Sequence, residues 1–321
     1  MKILTATSHF KGTPRSEIWQ IDTETHQKKQ LMVLPESPFP VSAKGVTGIV
    51  WIDNNTLVVC DFNRVLKINR NTWEIIDEKI DEQFNDLHQI TNYKGQLLIS
   101  NTGRDSIDLL DFDFKTLTRH SLLSEKDFQN REAGNYEIND EYYDNPKSGL
   151  SFSQKKVPDT HHFNYAFQTD KFKDKIIVNC FYDKCLRDLK TFEIISNHLP
   201  NHIHDGVIHN DHLWLTTVSG EIYKSKLELP FQFEIAIDLF KTAPHHGWCR
   251  GLFFEDNYAY IGITVLYKNS DRTPWLKQDI SQTRTGIYKY NLDADCIEQF
   301  YDLSHADGAK IFSIVADRGE L

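Results

Sequence analysis

Fourteen histidines stand in this sequence, and several of them recur at one place in a repeated pattern. The pattern is read from Thr47-Gly48-Ile49…Leu57-Val58-Val59, Leu87-His88-Gln89…Leu97-Leu98-Ile99 and Ile203-His204-Asp205…Leu213-Trp214-Leu215. The offsets 57−48, 97−88 and 213−204 all equal 9. His88 and His204 therefore hold one structural position in two repeats, and Gly48 holds it in a third. Two further repeats open on His161-His162 and His245-His246. His162 is the inward member of its pair, because it sets Asn164-Tyr165-Ala166 against Gly206-Val207-Ile208. In the last repeat the same offset, counted back from Ala259, lands on Arg250, and a looped entry would bring His246 in beside it.

Three or four neutral imidazoles converging from separate strands suit a divalent transition metal (Zn, Fe, Mn, Ni or Cu), with a position left for water or substrate. The expected ligands are His88, His162, His204 and His246. Asp205 and Asn201 could fix ring tautomers. Arg250 would point at a carboxylate or phosphate, so Arg250 and Asp205 are the candidate catalytic residues. The competing reading is a wet channel whose histidines bond water and backbone. Cys249, lacking a placed base, reads as a structural thiol. No GxSxG, Walker-type loop, Rossmann fingerprint or HExxH is present.

The elements that would carry these residues are strands. Short runs rich in β-branched and aromatic residues, such as Thr56–Cys60, Ser106–Leu110, Leu213–Thr217 and Tyr258–Ile263, lie between Asn, Asp, Gly and Lys turns. Sustained period-3.6 patterning is missing, so helix should be minor. Units of roughly 40 residues, each reading as four strands, have the size of propeller blades. Five units start near Gly45, Leu87, His161, His202 and His246. The sixth joins Lys310–Asp317 to Lys2–Thr7, Ser16–Asp22 and Gln30–Leu34, which closes the ring without an open edge. The expected fold is thus an all-β, six-bladed propeller, with seven blades as the fallback, in one domain over 1–321. Residues 124–160, acidic and containing three tyrosines, and 266–284 interrupt the repeat as inserted loops. The first is expected as a flap over the mouth nearer the histidines.

At 321 residues and 40% apolar composition the chain can bury a sizeable core. A net charge of −10 argues against nucleic acid or an anionic membrane as partner. No run is long enough for a membrane helix, and Met1–His9 lacks a secretory signal pattern. Five cysteines without CxxC spacing point to free thiols and a cytoplasmic protein.

Two stretches carry a family likeness. One is Asn201-His202-Ile203-His204-Asp205-Gly206…His212-Leu213-Trp214-Leu215…Ser219-Gly220-Glu221, the other Gly247-Trp248-Cys249-Arg250-Gly251-Leu252-Phe253…Ala259-Tyr260-Ile261-Gly262. Over residues 200–262 they resemble an uncharacterised family of six-bladed β-propellers, with a departure at Ile222, where the family pattern has glycine. The resemblance implies the fold and no reaction. The channel histidines are more distantly similar to propeller lyases and oxygenases with an axial metal. The function expected is a metal-dependent enzyme acting on a small polar or anionic substrate, by lyase, isomerase, hydrolase or oxygenase chemistry. The alternative is a non-catalytic propeller that binds a protein partner or small ligand.

Overall fold

The computed structural model describes residues 1–9, 16–37, 45–122, 159–267, 274, 279–304 and 309–318. Local turn chemistry sets the hairpins. Lys94 and Gly95 both have positive φ (49° and 80°), as do Asn210 and Asp211 (48° and 58°). Two-residue turns of that kind match the right-handed twist of the strands they join.

In chain order the strands are β1 (Lys2–His9), β2 (Ser16–Asp22), β3 (Lys28–Val33), β4 (Gly48–Trp51), β5 (Thr56–Cys60), β6 (Arg64–Asn69) and β7 (Ile75–Ile80). Next come β8 (Leu87–Tyr93), β9 (Gln96–Asn101), β10 (Ser106–Asp111), β11 (Thr116–Ser121), β12 (Ala166–Phe167), β13 (Ile177–Cys180) and β14 (Cys185–Asp188). The last are β15 (Ile203–His209), β16 (His212–Thr217), β17 (Glu221–Lys226), β18 (Glu234–Asp238), β19 (Trp248–Glu255), β20 (Tyr258–Thr264), β21 (Gly286–Asn291), β22 (Cys296–Asp302) and β23 (Ala309–Ala316).

They form six antiparallel sheets: β23-β1-β2-β3, then β4 to β7, β8 to β11, β12 to β14, β15 to β18 and β19 to β22. The protein is a six-bladed β-propeller. Helix among the described residues is limited to short 3-10 turns, as at Thr102–Arg104 and Leu239–Lys241. None is long and apolar enough to cross a membrane.

Burial explains the strand patterns. The second strands of blades two and three, TLVVC and QLLISN, are buried at nearly every position, because blades cover both of their faces. Rim strand β7, IIDEKI, alternates between half-buried and exposed. Between blades three and four, Leu98, Ile107, Phe163 and Val178 pack together, and between five and six Ile222, Trp248, Ile261 and Tyr288 do so. Each such side chain contributes roughly 1.5–3 kcal/mol through burial.

The predicted ring closure is present: β23 pairs with β1, from Ile3 opposite Ala316 to His9 opposite Ala309. Arg70, at the end of β6, fixes the joint by a two-pronged ion pair to Asp317 at 2.8 and 2.8 Å, and Trp51 Nε1 donates to Ala316 O at 2.8 Å. One expectation needs correction. Blade four has three strands rather than four. After β14 the chain keeps only a bridge from Ile194 to Arg187, then bridges in parallel from Ser196 to Phe231 of blade five. Two competing partners leave no room for a regular outer strand.

The first insertion falls between β11 and β12, and residues 123–158 lie outside the described residues, so the flap expectation does too. The second falls between β20 and β21. Its described end forms the turn Ile280–Gln282, while 268–273 and 275–278 lie outside the described residues.

Candidate functional site

Four innermost strands slip register, three of them at the residues the repeat pattern picks out. On β8, Leu87 pairs with Asn101 and Ile90 with Ile99, so His88 and Gln89 share the space opposite Ser100. On β15, Ile203 pairs with Thr217 and Gly206 with Leu215, leaving His204 and Asp205 opposite Thr216. On β19 the slip falls between Arg250 and Leu252 around Gly251, whose φ is 25°. On β23 it skips Phe312, between Ile311 and Ser313. A bulge turns a side chain out of the alternating pleat and re-aims it. Here the re-aimed groups come together.

The rings of His88 and His162 lie 5.0 Å apart and those of His88 and His204 6.1 Å. Phe312 of the closing strand is 6.0 Å from His88 and 5.9 Å from His204. The Arg250 guanidinium stacks on Phe312 with Cζ 3.9 Å from the ring centroid, a cation–π contact strengthened by burial. Gly48, the repeat equivalent in blade two, adds no group. A Cβ there would stand 2.8 Å from both Ile90 N and Cys60 Sγ, so the neighbouring blade fills that place.

His88, His204 and Phe312 are each followed by a polar residue, and these make a second tier. Gln89 Nε2 donates to Asp205 Oδ1 at 2.7 Å, and Ser313 Oγ lies 3.1 Å from Gln89 Oε1 and 3.0 Å from Thr47 O. Gly206 N–H also donates to Asp205 Oδ1, at 2.9 Å. Burial pushes the Asp205 carboxyl up to about 7, against the lowering pull of the Gln89 amide, the Gly206 N–H and Arg250. Asp205 thus holds a proton into the neutral range. Burial likewise raises the thiol of Cys249, in keeping with a structural role.

Two imidazoles are tethered through Nδ1. His88 Nδ1 lies 2.9 Å from Asp86 O; since a carbonyl only accepts, Nδ1 carries the proton and Nε2 the lone pair. His162 Nδ1 lies 2.9 Å from Asp159 Oδ2. The backbone that delivers His162 is itself pinned: the Asp105 carboxylate accepts the N–H groups of Thr160, His161 and His162 at 2.7, 3.0 and 3.1 Å. Neighbouring His202 packs on Phe181 at 4.7 Å, and burial with help from Lys184 and His162 lowers it to about 4.

The structure therefore gathers His88, His162, His204, Arg250 and Asp205. His246 does not join them. Its ring packs on Phe240 at 5.2 Å, and its backbone bridges Thr283, which ties it to the segment entering β21 rather than to the inner strands. Of the four expected ligands, His88, His162 and His204 are placed together and His246 apart. Among the described residues no group of three or more His, Cys, Asp or Glu could hold a metal ion as placed.

Sequence reasoning missed Phe312, Gln89 and Ser313. Gln89 was visible as the residue after His88, in the place Asp205 takes after His204. Phe312 and Ser313 were hidden because their strand pairs with a partner at the other end of the chain.

No family model matches the chain, and no curated protein matches it. Solved structures do. A protein of unknown function from Bacteroides caccae superposes with a TM-score of 0.63 at 9% identity, covering 98% of this chain and 97% of that one. A chain of a nidogen/laminin complex gives 0.61 at 9% identity, with the same coverage of 98% and 97%. These likenesses show the fold.

Proposed function

We propose that this propeller is an enzyme acting on a small polar or anionic substrate at the histidine-lined mouth. Arg250 anchors the substrate's negative group, and the imidazoles of His88, His162 and His204 handle protons. The observation that carries this reading is the convergence of three imidazoles and a guanidinium from four blades, three of them re-aimed by bulges. Bulges placed so consistently are costly to the ladder and make sense where a side chain must be presented. The carbonyl of Asp86 at His88 Nδ1 and the carboxylate of Asp159 at His162 Nδ1 fix the orientation of both rings. Oriented imidazoles side by side are what general acid–base catalysis uses. Asp205, held by Gln89, supports the floor of the site.

A second reading is favoured by the same tethers. Imidazoles whose Nδ1 is fixed by a carbonyl or carboxylate are oriented as metal ligands usually are, and ring separations of 5.0 and 6.1 Å are close enough for small rotations to bring nitrogens onto one ion. A divalent Zn, Fe, Mn, Ni or Cu on His88, His162 and His204 would supply Lewis acidity or an activated water. Elemental analysis of purified protein and of His204→Ala separates the readings. Stoichiometric metal, lost in a still-folded variant, establishes the metalloenzyme. Protein free of metal after reconstitution, with binding of small acids retained, establishes acid–base chemistry. Neither metal nor acid binding leaves a scaffold that binds a protein partner.

A further inference from the structure

Blade four has its own counterpart of the re-aimed residues, and it is Asn164. Two residues on, Ala166 pairs with Val178, as Gly206 pairs with Leu215 two residues after His204. The residue between, Tyr165, donates its N–H to Asn179 Oδ1 at 2.7 Å, as Asp205 donates its own to Thr216 Oγ1 at 3.0 Å. Asn164 therefore holds in blade four the position of His204 and His88, and His162 enters the site from two residues earlier. In the ring, blade four stands between blades three and five, whose His88 and His204 rings are 6.1 Å apart.

Asn164 is 1% exposed, yet among the described residues neither its Oδ1 nor its Nδ2 has a hydrogen-bond partner. The same is true of Ser100 Oγ, in a residue also 1% exposed. Ser100 stands on β9 opposite the slip at His88 and Gln89. The residues two places to either side of it face blade four: Leu98 packs with Phe163 and Val178, and Thr102 Oγ1 donates to Phe163 O at 2.5 Å. Alternation along the strand turns Ser100 the same way. From β8, Thr91 Oγ1 donates to Ala166 O at 2.9 Å. The two threonine bonds bracket Asn164 and Tyr165, so Ser100 Oγ and the Asn164 amide face one part of the boundary between blades three and four.

Buried polar groups without a partner are costly, and in native proteins nearly all of them bond to protein or to ordered water. Here the inventory is one hydroxyl that donates and accepts, one oxygen that only accepts and one NH2 that only donates. A small anion would face the amide oxygen. A metal cation would find in these two side chains no charge to offset its desolvation. Water donates and accepts at once, and internal waters make about three such bonds.

We propose that Asn164 and Ser100 hold an internal water molecule at the height of His88 and His204, in the place where blade four carries no imidazole. Under the acid–base reading that water passes protons between the two imidazoles, a consequence that rests on that reading, whereas the water site itself does not.

The experiment joins a crystal structure of the full chain with water-oxygen magnetic relaxation dispersion, which counts long-lived internal waters in solution. The expected result is a water oxygen about 2.5–3.2 Å from Ser100 Oγ and from both amide atoms of Asn164. Asn164→Leu, close in volume, should remove that water and lower the solution count by one, with circular dichroism showing the variant folded. Ser100→Ala, the milder change, should shorten the water's residence roughly two- to tenfold, as the loss of one net hydrogen bond implies. An Asn164 amide bonded only to protein, an ion in that place, or a count and residence indifferent to both variants overturns the proposal while leaving small-acid binding, and with it the proposed function, standing. A water in place in a protein that binds neither small acids nor metal overturns that function and upholds the water site.

Discussion

Asp205 offers the sharpest test of the site's electrostatics. Its carboxyl is 3% exposed overall as a residue, and burial lifts it from 3.8 to about 7. A raised carboxyl means that the folded state binds a proton that the unfolded chain has released, so stability must fall as pH rises between the two values. The contribution is complete below about pH 4 and lost by about pH 7. Asparagine reproduces the protonated carboxyl: its Oδ1 still accepts from Gln89 Nε2 and Gly206 N–H, and nothing is left to ionise. At about 1.4 kcal/mol per pH unit, reduced where Asp205 itself titrates, Asp205→Asn should gain on the wild type by about 2 kcal/mol between pH 5 and 7. For a chain of this length that is a relative Tm shift of about 3 °C. Guanidinium unfolding of both proteins from pH 5 to 8.5 measures the difference directly, since the other carboxylates cancel. A difference that stays constant across pH 5 to 7 would show Asp205 ionised in the fold and paired with Arg250. The Asp205 floor would then be a salt bridge, and the argument from burial would be wrong.

Other outcomes follow from the same physical terms. Arg70→Ala should cost about 1–3 kcal/mol, because it removes the ion partner of the Asp317 carboxylate at the ring joint and leaves it the Gln20 amide; a loss under about 0.5 kcal/mol in denaturant titration would mean the closure does not depend on it. Gly48→Ala should destabilise by about 1–3 kcal/mol, since the added methyl meets the backbone of Ile90 at 2.8 Å, and an unchanged unfolding midpoint would contradict the close packing of blades two and three. Of the five thiols, Cys296 is exposed and Cys60, Cys180, Cys185 and Cys249 are buried, with Cys60 pushed up to about 12. A disulfide reagent should therefore label one thiol quickly and the rest only on unfolding, and rapid labelling of two or more would refute that burial.

Much of the architecture was legible because it is local. Apolar runs between Asn, Asp, Gly and Lys turns set the hairpins, and their near-fixed spacing set the blade count. The orphan strand Lys310–Asp317 and the incomplete blade at the front specified each other as closing partners. Residue identity likewise marked His88 and His204, because a repeat pattern is preserved whenever the fold reuses one position. What the chain alone could not give is the direction of each side chain after a register slip. The offset of nine is common to Gly48, His88 and His204, yet β4 has no bulge where β8 and β15 do. Only the pairing across strands separates these cases. Tertiary structure also decided that His246 belongs with Phe240 and that Phe312 enters from the far end of the sequence to lie between His88, His204 and Arg250. The Phe312 contacts join residues whose separation along the chain carries no signal, brought together because a ring of blades must close on itself.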